Sequence, residues 1–161
     1  MRGNLLLILG LLGLLTFAAS GVLGYGHFFE EALRVHVLVG LCACLLVLFS
    51  HGWIVMYMLG LARAARRWQL RYGGAGELAA QSAAWSRRTA PAGVCAVALC
   101  LAAFALGSAV LAHSVPSALH HGAFYAALAA QAWALGVERR ALAASARLIL
   151  AADRPPAGHA A

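Results

Sequence analysis

The residues here best able to do chemistry are the histidines, seven in a chain of 161. Imidazole exchanges protons near neutral pH and is a ligand for zinc, copper and iron. His36, His51, His113, His120 and His121 lie within or at the ends of strongly apolar stretches, while His27 falls between two of them and His159 near the end of the chain. An ionisable side chain inside a membrane is costly, so each is a functional candidate by default. The plainer alternative is that imidazoles near helix ends sit close to water and only hydrogen-bond there.

Composition sets the framework that carries these side chains. Hydrophobic residues make up 63% of the chain and charged ones 11%, against about a quarter charged in soluble domains. Four apolar segments reach the roughly 20 residues needed to cross hydrocarbon: Asn4–Leu23, Leu33–Leu61, Ala92–Ala112 and Ala118–Val137. The predicted fold is all-α, an integral membrane four-helix bundle forming a single domain over 1–161. The second segment is longer than a bilayer requires, which implies tilt or protrusion. The first also resembles a signal peptide, with Arg2, a leucine-rich run and Ala18-Ala19-Ser20. Its apolar run is long for that role, which favours a retained helix.

All twelve basic residues are arginines. Arg2, Arg63, Arg66, Arg67, Arg71, Arg87, Arg88, Arg139, Arg140, Arg147 and Arg154 fall on one side of the predicted topology, and Arg34 alone on the other. The positive-inside rule makes that side cytoplasmic, with both termini there. A bacterial inner membrane is the expected location. A net charge of +7 therefore reflects topology, and nucleic acid is not an expected partner. The segment 63–89 is expected to continue helix two, break at Gly73-Gly74 and resume as a cytoplasmic stretch at the lipid headgroups. Helix four is expected to extend into a cytoplasmic tail, 138–161, with Glu138 at the membrane boundary beside Arg139.

Depth then sorts the histidines. His27, His36, His113, His120 and His121 converge on the face opposite the arginines. Helices two and four run in the same direction, so His36 and His120 or His121 share a level and suit an imidazole pair across the bundle. His51 lies 15 residues beyond His36, about 22 Å along the axis and about 60° around it. Gly40, Ala43 and Val47 lie between them on that face, leaving room for something flat.

The pattern His36-Val-Leu-Val-Gly40, then ten residues, then His51, resembles the helices of membrane b-type cytochromes. The resemblance implies haem b, histidine axial ligands, and a glycine against the porphyrin. It covers helix two well and helix four in part. It implies one complete site, pairing His36 with His120 or His121, with Gly40 making space. His51 lacks an imidazole partner at its own depth, where only Gln131 and Met58 come near. It would bind a haem of another subunit, act as a lone ligand, or hydrogen-bond. His51-Gly-Trp-Ile-Val-Met-Tyr-Met-Leu-Gly60 also resembles a stretch in small bacterial membrane proteins, which supports the fold and says little of activity.

Two other readings remain open. His36, His113, His120 and His121 could hold copper, iron or zinc without haem, as in a membrane accessory or assembly factor. Glu30 and Glu31 could join His27 and His36 in a mixed site. Otherwise the chain is a structural subunit whose histidines only cap helices. Cys42, Cys44, Cys95 and Cys100 all lie in apolar segments and read as small hydrophobes. No nucleophile–base pair or phosphate-binding glycine loop stands out. An electron carrier or accessory subunit is expected rather than a stand-alone enzyme, with a redox membrane complex or self-association as partner.

Overall fold

The computed structural model describes residues 2–25, 30–72 and 76–152. They form four helices: α1 (Arg2–Tyr25), α2 (Glu30–Tyr72), α3 (Gly76–Leu111) and α4 (Ser117–Ala152). Each packs on its neighbours in chain order, and α1 touches α4 to close the ring, although that last seam is the sparsest. The result is an all-α bundle of two antiparallel hairpins. α1, α2 and α3 are long and apolar enough to cross a membrane. α4 has the length, with 36 residues, but His120, His121 and Gln131 dilute its apolar stretch.

The side-chain distribution is that of a bundle immersed in lipid. Ile8, Leu15, Leu38, Leu45, Trp53 and Met56 face outward, whereas Ala43, Ala92, Ala96, Ala103, Ala127, Ala134 and Ala141 are fully buried. Bilayer chains cannot tell an outward leucine from an inward one, so association rests on close packing, which small residues allow. Gly21 against Phe124 and Gly10 against Leu135 leave no room for a side chain between α1 and α4.

The helices run further than the apolar segments. At 43 residues, α2 measures about 64 Å at about 1.5 Å per residue, roughly twice a hydrocarbon core. The segment 63–89 continues α2 to Tyr72, as the sequence suggests, and resumes at Gly76 as the start of α3, with 73–75 outside the described residues. Its alanines, leucines and arginines are strong helix formers, and Ala65, Ala79, Ser82 and Ser86 are buried along it. α4 continues to Ala152 for the same reason.

α3 ends in a Schellman motif. The Ser114 N–H donates to the Ala109 carbonyl and the His113 N–H to the Val110 carbonyl, with His113 in the left-handed region at φ 55. Pro116 follows, and α4 starts at Ser117.

Candidate functional site

At the end of the bundle away from the arginines, a pocket of about 320 Å³ opens between the two hairpins. That volume falls at the small end for sites taking organic ligands, about 300–1,000 Å³. His36, His120, His121, Phe17, Phe124 and Gly40 are among its walls, and the Phe17 and Phe124 rings stack at 4.9 Å.

His36 and His120 are held in the same way. His36 Nδ1 lies 2.7 Å from the Ser20 carbonyl oxygen of α1. His120 Nδ1 lies 2.9 Å from the Ala103 carbonyl oxygen of α3. A carbonyl only accepts, so Nδ1 is the donor in both rings, and in a neutral imidazole the lone pair is then on Nε2. Four residues beyond each carbonyl stands a glycine whose bare backbone admits the ring. A side chain there would meet His36 Cε1 at 2.9 Å from Gly24, or His120 Cε1 at 3.0 Å from Gly107. The two hairpins thus repeat one device, small-x3-Gly on the first helix and His on the second, which the sequence does not advertise as a repeat. The ring centres are 6.3 Å apart and the planes are inclined by 80°.

The remaining candidates divide. His121 joins the pocket, its ring 5.9 Å from His120 and 5.2 Å from Tyr25. The Tyr25 and Tyr125 hydroxyls meet at 2.6 Å beside it. Gly40 is buried in the wall, but a side chain there would first meet Ser20 Oγ at 3.1 Å. It serves the approach of α1, while the glycines against the rings are Gly24 and Gly107. His113 is exposed and outside the pocket lining, and its place is explained by the cap that closes α3. His27 and the side chain of Glu30 lie outside the described residues. Among the described residues, no three His, Cys, Asp or Glu side chains gather as a metal site.

His51 is far from this pocket and has a partner of another kind. Its Nδ1 lies 2.8 Å from Glu138 Oε1, with His51 1% and Glu138 0% exposed. Glu138 is therefore buried between the helices. Gly93 packs beside the pair; a side chain there would first meet Val55 Cγ2 at 3.0 Å, with Glu138 Oε1 at 3.4 Å and His51 Cβ at 3.6 Å. Gln131, seven residues before Glu138 and on the same face, is also buried. Both its amide atoms and Glu138 Oε2 lack partners among the described residues. A search for imidazoles alone misses Glu138. The signal in the sequence was a carboxylate about two helical turns from Gln131 on one helical face. Chemically the pair can hold a proton away from water.

No family model, curated protein or solved structure matches the chain.

Proposed function

We propose that this chain seats a haem between His36 and His120 and carries electrons within the membrane as a small b-type cytochrome-like protein, working with a redox complex. The observation that carries this is the pair of imidazoles in one pocket wall, each with Nδ1 tied to a backbone carbonyl. Such an outer hydrogen bond orients a metal-binding imidazole and raises its basicity. His36 and His120, their ring centres 6.3 Å apart, would hold the haem, which would supply one-electron redox chemistry. Haem brings its own equatorial nitrogens and needs only axial ligands from protein. A bare ion such as zinc asks for three or four protein ligands, and among the described residues no three His, Cys, Asp or Glu side chains gather to supply them. Phe17 and Phe124 offer flat apolar walls.

The arginine-rich end belongs to the cytoplasm on this reading, and the haem lies toward the opposite face. One haem near one face cannot cross the bilayer alone, which is why a partner is part of the proposal. The test is absorption of the oxidised and reduced protein after expression with haem supplied. A Soret band that shifts on reduction is expected. Colourless, folded protein overturns the proposal.

A further inference from the structure

Below the pocket, Cys44 of α2 and Cys100 of α3 bring their sulfurs to 3.3 Å. Both are buried and neither is in a disulfide, whereas Cys42 and Cys95 face outward. Cys44 also forms part of the pocket wall. The surrounding core is filled by Ala43, Ala103 and Ala127, so small size alone does not call for two thiols in contact. We propose that Cys44 and Cys100 are a redox-active dithiol, oxidised to a disulfide by a membrane quinone that enters the pocket from lipid.

The geometry asks for little. A disulfide of about 2.05 Å needs the sulfurs about 1.3 Å closer, within reach of small side-chain rotations on facing helices. In the reaction one sulfur adds to a quinone ring carbon while its proton passes to a quinone oxygen. The second sulfur then attacks the first. The S–S bond forms, the S–C bond breaks with its electron pair going to the ring, and the second thiol proton completes the quinol. Two thiols and a quinone give a disulfide and a quinol, two electrons moving. The inference does not rest on the haem reading. A ring between His36 and His120 would cover Cys44, so the dithiol reacts in the chain before it is loaded.

The test uses the full-length, haem-free chain, reduced and then exposed to a short-tailed benzoquinone without air. After acid quenching, unfolding and alkylation, the mass is measured. The expected product has lost two hydrogens, carries a Cys44–Cys100 linked peptide, and appears with an equal amount of quinol. Cys100→Ser abolishes the bridge, while Cys42→Ser and Cys95→Ser leave it. Haem at ten times its Kd slows bridging roughly tenfold. The proposal is overturned if Cys44 and Cys100 stay alkylatable in a helical chain. A quinone adduct on a single thiol, or a bridge through Cys42 or Cys95, overturns it equally. A chain that binds no haem leaves every arm but the haem competition intact, so the two readings fail separately.

Discussion

His36 and His120 are interchangeable in their surroundings: a small-residue carbonyl behind, a glycine alongside, the other imidazole in front. Replacing either with alanine should abolish a low-spin haem spectrum, while His113→Ala should leave it unchanged, as read from the Soret and α bands. The buried His51–Glu138 pair makes a different prediction. Removing one partner strands the other in an apolar interior, at a cost of about 3–5 kcal/mol. Glu138→Ala or His51→Ala should lower unfolding stability in mixed micelles by that order, and the double substitution to apolar residues should recover much of it. Additive losses in the double variant would contradict a direct pair. Depth along the helices was enough to bring His36 to His120, because both helices run in one direction and their apolar stretches begin at comparable levels. It could not single out Gly24 and Gly107, whose significance depends on which carbonyl each ring reaches. The pairing of Glu138 with His51 was not read from the sequence, because Arg139 next to it suggested water. On a helix, adjacent residues differ by about 100°, and Arg139 is exposed while Glu138 is not.

The helices were legible where apolar runs marked them and blurred beyond. α2, α3 and α4 continue past their apolar stretches on alanine, leucine and arginine, a composition that reads equally as an interfacial stretch or a helix. What distinguishes them is burial of Ala79, Ser82 and Ser86 against neighbouring helices, a tertiary fact. The turn between α3 and α4 gives a test at this scale. His113 occupies a left-handed position that costs a side-chain-bearing residue about 1–2 kcal/mol. His113→Gly should therefore be stabilising, by about 1 kcal/mol in micelle unfolding, with the haem spectrum intact. Loss of stability would mean that the ring makes a contact of its own. At the α1–α4 seam, Gly21→Leu would force its side chain into Phe124. An overpacking cost of about 1–3 kcal/mol is expected, together with weaker haem retention on dilution, since the same helices wall the pocket.

The whole molecule is polarised, with most of its arginines toward one end and the imidazole pocket, near Arg34, toward the other. In a cysteine-free background, Ser114→Cys should react with a membrane-impermeant maleimide in intact cells. Arg140→Cys should react only after lysis. The opposite pattern would invert the proposed orientation and place the pocket toward the cytoplasm. The alanine-filled interior also makes this molecule's tolerance to substitution the reverse of a soluble protein's. Cutting leucines back to alanine on the outward faces trades one lipid contact for another and should be mild. Enlarging Ala43, Ala96, Ala127 or Ala134 pushes whole helices apart. A full substitution scan should therefore trace the interior by intolerance to added volume, and positions with no bulk to lose would be its most sensitive.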